Sequence, residues 1–327
     1  MSRKLLFALL IVALFLAACG PSVTATPAPS ATQPPATEQP AAILQPTAAR
    51  IILTDGLGRP VTLTGPAQRV VSLAPSNIEI LFAVGAGAQV VGRDESSDYP
   101  AEAAALPTVG GWSGFSAEAI VALQPDLVLG MAGDFNSPEL AASLEQLGLT
   151  VYYLPNPATL EEVYAAIETV GALTGHTSEA AALVESLERR VAAVDKKIMP
   201  LSYRPLVFFE LDATDPSKPF TSGPGTFIDL LIDRAGGINI GSQLQGAWAQ
   251  ISIEELLVTN PNVIVLGDSR YGETPEKVAR RVGWDALKAV QNGKVYPIDD
   301  NLFVRPGPRL VDGLEALAKL LHPELFK

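Results

Sequence analysis

Two tryptophans and two glutamates stand at matched places in this chain. The segment WSGFSAEAIVALQPDLVLG runs from Trp112 to Gly130, and WAQISIEELLVTNPNVIVLG runs from Trp248 to Gly267. Trp248 follows Trp112 by 136 residues, and the same offset relates Ser252 to Ser116, Glu254 to Glu118 and Pro261 to Pro125. An indole offers a wide flat face for stacking on another ring. A carboxylate offers a partner for a guanidinium. Taken singly, Glu118 or Glu254 is an acid in the first turn of a helix, where it suits the helix dipole. Taken together, they present the same charged point twice, once in each copy.

Two more aromatics, Tyr99 and Phe220, fall in loops beside these segments. Four rings at matching rims suit a flat, largely apolar ligand. A loop after KVYPID adds Asp299, Asp300 and Arg305.

The elements that must position these groups alternate between strand and helix. RIILTDGLGRPVTLTG reads as a hairpin around Asp55–Gly58. RVVSLAP is a buried strand, followed by the capping-box spacing Ser76–Glu79 and a helix ending at Gly85. QVVG and Asp126–Gly130 are strands, and Glu139–Leu147 is a helix stopped by Gly148. TVYYLP is a strand, and Thr159 with Glu162 opens a helix ending near Gly171. PLVFFELD starts a second set, with a loop from Asp212 to Gly225 that carries Phe220. FIDLLIDRAGGINIG repeats helix, glycine stop and short strand, and a helix from Arg309 to Leu321 closes the chain. Continuous apolar strands between helices predict an α/β fold of two similar lobes, each a mostly parallel sheet flanked by helices. Ser178–Ile198 contains no Gly or Pro and predicts one helix about 31 Å long. It joins an N lobe at 50–174 to a C lobe at 200–327, itself spanning 175–199.

The 327 residues carry a formal net charge of −12, and no basic run favours nucleic acid as a partner. The single cysteine, Cys19, excludes an intramolecular disulfide. Arg3 and Lys4, the apolar run Leu5–Leu16 and Ala17-Ala18-Cys19 read as a secretory signal over 1–18. Leu16-Ala17-Ala18-Cys19 resembles a bacterial lipobox, which implies a lipid on Cys19. More than one acyl chain would hold the protein at a membrane. Residues 19–49 are rich in Pro, Ala and Thr and read as a disordered stalk.

A lipoprotein signal, a stalk, two similar lobes and one connecting helix resemble the substrate-binding proteins that serve ABC importers of cobalamin, iron-siderophores and haem. The resemblance covers nearly all of Arg50–Lys327. It is carried by RVVSLAPSNIEILFAVGAGAQVVG, SDYP, SAEAIVALQPDLVLG, FTSG, WAQISIEELL and RPGPR. It implies a ligand in the inter-lobe cleft and a rigid helical connection. It implies that Glu118 and Glu254 dock on arginines of a permease dimer. Cobalamin-binding members are similar at Tyr99, Trp112, Phe220 and Trp248, and in an acid and an arginine near Asp300 and Arg305, with Asp299 adjacent. Asn301-Leu302 departs from them, standing where they carry a further aromatic. The resemblance implies a monomer at the outer face of the cell membrane, periplasmic where an outer membrane encloses it. It would deliver cobalamin or a related corrinoid to the permease, with no resident cofactor and no catalysis.

An iron-siderophore or haem binder of the same family is the nearest alternative. Tyr99 could ligate haem iron, and Arg305 and Arg93 are the cations available to an anionic siderophore. His176 and His322, the only histidines, read as surface residues away from the rim, which argues against a zinc or manganese site. A surface-anchored enzyme lacks support, because no Gly-x-Ser-x-Gly, P-loop or His-Glu-x-x-His motif is present. An adhesive surface domain would explain the lipid and stalk but not the duplicated lobes.

Overall fold

The computed structural model describes residues 50–133 and 138–327. The readings made for the signal segment, Cys19 and the stalk lie outside these residues. The chain opens with an antiparallel hairpin of β1 (Ile51–Thr54) and β2 (Pro60–Leu63). The N lobe continues with β3 (Val70–Ser72), α1 (Pro75–Ala83), β4 (Val90–Gly92), β5 (Gly110–Gly111) and β6 (Gly114–Phe115). It then runs through α2 (Ala117–Ala122), β7 (Leu127–Met131), α3 (Pro138–Gln146), β8 (Val151–Leu154) and α4 (Leu160–Thr174). The linking helix is α5 (Thr177–Ile198), 22 residues. The C lobe comprises β9 (Leu206–Asp212), β10 (Phe220–Ser222), α6 (Phe227–Arg234), β11 (Ile238–Asn239), β12 (Trp248–Gln250), α7 (Ile253–Thr259) and β13 (Val263–Leu266). It ends with α8 (Pro275–Val278), α9 (Lys288–Gln291), β14 (Val295–Pro297), α10 (Asn301–Val304) and α11 (Leu310–Leu321).

The N-lobe sheet has the order β4-β3-β7-β8, with every pair parallel. In the C lobe β11, β9, β13 and β14 pair in the same parallel arrangement. The C lobe then adds an edge: β10 pairs antiparallel with the end of β9, and β12 pairs antiparallel with β10. The duplication extends to an unusual backbone position. Gln124 and Asn260 are equivalent, each precedes the repeated proline, and both have positive φ, 48° and 52°. A residue before proline is pushed out of the right-handed helical region, so each short helix must stop there.

Strand side chains alternate between two faces, and the alternation divides each sheet between two cores. Val70, Leu127, Leu129 and Leu154 point into the same apolar cluster as Val207, Phe209, Val263 and Val265. Residues of α1, α4, α5, α6 and α11 complete that cluster. The opposite faces bury Val71, Val128, Val151 and Tyr153 in one outer core, and Phe208, Ile264, Leu266 and Trp284 in the other. The lobes thus share a middle layer. Exposing only two such side chains would cost about 3–6 kcal/mol, much of the stability of a whole domain. Wide parting of the lobes is opposed by this layer as well as by the helix.

Helix α5 is fastened on both sides. Toward α4, Gly171 permits close approach, since a Cβ there would lie 2.5 Å from that of Ala180. For this reason α4 runs through Gly171 and stops at Gly175, where φ is 83°, rather than ending near Gly171. Toward the C lobe, Arg190 bonds Asp312 at 2.5 Å and Glu315 at 2.7 Å, and Asp195 bonds Arg234 at 2.9 Å.

The capping box at Thr159 forms, with Glu162 N–H on the threonine hydroxyl at 3.2 Å and its carboxylate accepting from Ala158 N–H at 2.6 Å. The one expected at Ser76–Glu79 does not. Pro75 opens α1, Ala74 occupies the cap position without a side-chain bond, and Glu79 turns its carboxylate to two arginines. The expected loop from Asp212 to Gly225 contains β10, because Phe220–Ser222 finds open backbone groups on β9 and β12. His322 is not on the surface: it is buried, with Nε2 3.2 Å from the Gly236 carbonyl oxygen. No helix among the described residues is long and apolar enough to cross a membrane.

Candidate functional site

In each lobe the strand order reverses between the first strand and the third, at β3/β7 and at β9/β13. Ligands of open parallel sheets bind outside the carboxyl ends at such a reversal. The expected site residues lie on loops and edge strands of the two lobes.

Trp112 caps the β5–β6 hairpin, whose register Gly111↔Gly114 leaves Trp112-Ser113 as a two-residue turn. Gly110 must lack a Cβ, which would stand 2.3 Å from the Gly114 oxygen. Glu95 braces the turn by accepting the Trp112 N–H at 3.0 Å. The indole is left 78% exposed. Phe220 and Trp248 lie on the C-lobe edge. Trp248 pairs with Ser222 and Phe220 with Gln250, so both rings share one face of the ribbon as diagonal neighbours. They are 40% and 58% exposed. Phe220 and Trp248 together form a contiguous exposed apolar patch, the kind of surface that binding sites use.

Tyr99 is also exposed, and the Arg309 guanidinium lies 3.9 Å from its ring centroid. This cation–π contact belongs to a cluster of charged groups. Arg309 bonds Glu79 at 2.6 Å and 2.9 Å, and approaches Asp299 at 3.8 Å. Arg305 bonds Asp98 at 2.7 Å, Glu79 at 3.2 Å and the Ser96 carbonyl at 3.0 Å. Arg270 bonds Asn301 at 3.0 Å and pairs with Asp300 at 3.5 Å and Asp98 at 3.9 Å. Tyr99, Asp300 and Arg305 are therefore brought into one neighbourhood.

Arg305 differs from the expectation, being buried, with Nη1 on Glu79 and Asp98 and Nη2 on the Ser96 carbonyl. Arg93 is likewise engaged, by the carbonyls of Asp94 at 2.8 Å and Ala104 at 3.1 Å. Burial pushes the Asp300 carboxyl up, with Arg270 opposing and Asp299 adding to the rise. Burial would also raise Asp98, but its bonds and charge contact with Arg305 outweigh that and hold it below the usual range.

Glu79, Asp98, Arg270 and Arg309 escaped the sequence reading. Their signal was present: an acid between Ile78 and Ile80 in an apolar helix, and a second arginine closing RPGPR.

Glu118 and Glu254 occupy the same place on α2 and α7. Ser116 caps α2 by accepting Ala119 N–H at 3.1 Å, and Ser252 caps α7 by accepting Glu255 N–H at 3.1 Å. Each glutamate is the second residue of its helix, and both are exposed. The Glu118 carboxyl lies below its ordinary value, through its own backbone N–H and then the Ser116 hydroxyl.

A buried acid pair lies at the carboxyl ends of β9 and β13. Glu210 is clamped by Arg281 at 2.5 Å and 2.8 Å, and Arg281 also holds Glu273 at 2.8 Å. Asp268 Oδ2 accepts the Ala213 N–H at 3.3 Å, while its buried Oδ1 has no donor aimed at it. Burial, then the charge of Glu210, pushes the Asp268 carboxyl up to about 7. Protonation of Asp268 relieves the repulsion between its carboxylate and that of Glu210.

Comparison with known proteins agrees with this architecture. Residues 70–302 match the family model described as periplasmic binding protein, and the chain belongs to that family. It is similar to an ABC transporter substrate-binding lipoprotein of Bacillus subtilis, 32% identical over 85% of this chain and 87% of the relative. It is 30% identical to a vitamin B12-binding protein of Vibrio cholerae, over 78% of this chain and 90% of that one. Among solved structures, the periplasmic haem-binding protein of Roseiflexus superposes with a TM-score of 0.71 at 28% identity, covering 79% of this chain and 99% of that one. The chain is a substrate-binding protein of the ABC importer type, from the group that includes cobalamin, haem and siderophore binders. Its family transports and does not catalyse.

The acid pair sets a pH dependence. Asp268 keeps its proton in the fold up to about pH 7 but loses it near 3.8 once unfolded. From about pH 4 to about 7 the unfolded state therefore binds fewer protons, and this group's contribution to stability falls as pH rises. Asp268→Asn should flatten that slope in the urea midpoint measured across the window. An unchanged slope would place the proton elsewhere.

Proposed function

We propose that this protein captures cobalamin or a related corrinoid in the inter-lobe cleft and delivers it to an ABC permease dimer. The observation that carries the reading is the set of exposed rings: Trp112 on its braced hairpin, and Phe220 with Trp248 on one face of the C-lobe ribbon. A corrin ring is broad and flat, and stacking on such faces gives both area and orientation. Tyr99 and Asp300 complete the contact surface. Arg305 stands behind them, organising the loops, and reaches a ligand only by giving up a protein partner. The committed arginines favour a ligand without strong negative charge. Similarity to vitamin B12-binding proteins supports the same choice.

A haem or ferric siderophore reading is favoured by one feature, the exposed Tyr99 ring beside Arg309, which could present a phenol to iron. Similarity to haem-binding proteins accords with it.

Glu118 and Glu254 form the docking points for the permease, one on each lobe. A carboxylate that meets arginine across an interface fixes register and orientation more than affinity. Cys19 carries the lipid that keeps the protein at the outer face of the membrane, and the chain acts as a monomer.

Titration of the purified chain with cyanocobalamin, haemin and a ferric siderophore tests the ligand through tryptophan fluorescence. Cobalamin should quench, and Trp112→Ala or Trp248→Ala should weaken it roughly tenfold or more. Binding of haemin or siderophore without cobalamin would overturn the corrinoid reading in favour of the second. Transport assays test docking: Glu118→Ala with Glu254→Ala should abolish uptake while ligand affinity stays unchanged. Normal uptake by that double variant would contradict the docking role.

A further inference from the structure

The closing motif RPGPR meets an acid 226 residues earlier in the chain. Glu79 lies on α1 between Ile78 and Ile80, which are fully buried, and is itself 3% exposed. Arg309 forks onto it, Nε to Oε2 at 2.9 Å and Nη2 to Oε1 at 2.6 Å. Arg305 joins the same oxygen at 3.2 Å, then reaches Asp98 at 2.7 Å and the Ser96 carbonyl at 3.0 Å. The acceptors all come from the N lobe and the guanidiniums from the C lobe. Pro306 and Pro308 fix φ on either side of Gly307, so a stiff loop presents both arginines.

Stability alone does not explain this arrangement. Desolvating buried charges can cost more than their attraction returns, and apolar residues of similar size often hold a fold as well. A bidentate fork supplies geometry instead, because it works at one distance and one orientation. The same guanidinium of Arg309 lies over Tyr99. The shared apolar layer limits how far the lobes can part, and the fork selects a setting within that range.

We propose that Glu79 is a latch between the lobes. By holding Arg305 and Arg309 it sets the lobe separation at the cleft, and through Arg309 it seats Tyr99 against the ligand. The effect on Tyr99 rests on the proposed ligand cleft, whereas the lobe separation does not. Glu79 is a positioning residue, and its effect on any ligand passes through the arginines.

The test uses the full chain with Cys19→Ser and spin labels at Glu102→Cys and Arg280→Cys, exposed positions in the two lobes. Inter-label distances are measured without ligand, and cobalamin dissociation is followed in parallel. Glu79→Gln and Arg309→Met should each broaden the distance distribution and speed dissociation roughly tenfold. The double variant should go little further, since both changes release one interaction. Should Glu79→Gln fail to fold, Arg309→Met decides alone, as it leaves the Glu79–Arg305 contact in place. Distance distributions like those of the parent would overturn the latch, even with lowered melting temperature or faster dissociation. Broadened distances in a protein that never binds cobalamin would uphold the latch and reject the ligand reading instead.

Discussion

The two sheets bury their inner faces in one apolar layer, and the rest of the structure depends on that constraint. Val70, Leu127 and Leu129 from one lobe and Val207, Phe209 and Val263 from the other belong to the same cluster. Each lobe lacks a private core on that side, so neither can swing away without exposing large apolar area to water. Helix α5 runs through this layer, with Val184, Leu187, Val191 and Val194 buried in it. A helix that merely bridged two independent domains would need no such stripe. The lobes consequently behave as a nearly rigid pair, and ligand response falls to loops and small adjustments.

That rigidity assigns different work to the two kinds of group in the proposed site. The exposed rings are held from behind by backbone pairing: a two-residue turn for Trp112 and a strand ribbon for Phe220 and Trp248. They arrive pre-oriented, which lowers the entropy cost of stacking a ligand. The charged groups are held by one another. Arg270, Arg305 and Arg309 reach Glu79 and Asp98 across the lobes, and Arg270 and Arg309 also pair with Asp300 and Asp299 within the C lobe. An anionic ligand would have to compete with carboxylates already in place, whereas a neutral ring system need only cover apolar faces. On the outside, Ser116 and Ser252 cap two matched short helices and leave Glu118 and Glu254 exposed at matched places. The same duplicated segment thus presents indole on one side and carboxylate a few residues on. That economy suits a binding protein that meets both a ligand and a membrane permease.

Much of this was legible in the sequence because it depends on local chemistry. Continuous apolar strands announced parallel sheets, glycine at 85 and 148 marked turns that need positive φ, and the duplicated segment announced the second lobe. The exposure of the four rings was legible as well, since aromatics in polar loops have little apolar surface to pack against. What escaped was long-range. Ser76 and Glu79 have capping-box spacing, yet proline at position 75 took over the helix start and distant arginines took the carboxylate. Nothing local to Arg305 says that Asp98 and Glu79 will reach it first. Gly171 looked like a helix stop, but its role is set by Ala180 on another helix. His322 looked like a surface residue near the chain end and instead fills space beside Gly236. Periodicity shows which face is buried, not which partner buries it.

The central claim is that a flat ligand lies between the Trp112 hairpin of one lobe and the Phe220–Trp248 ribbon of the other. A crystal structure of the protein with cobalamin tests it most directly. The account predicts a corrin ring in van der Waals contact with these aromatic faces, with the shared apolar layer unchanged. A corrinoid bound outside the cleft, or rings left exposed around it, would contradict the account.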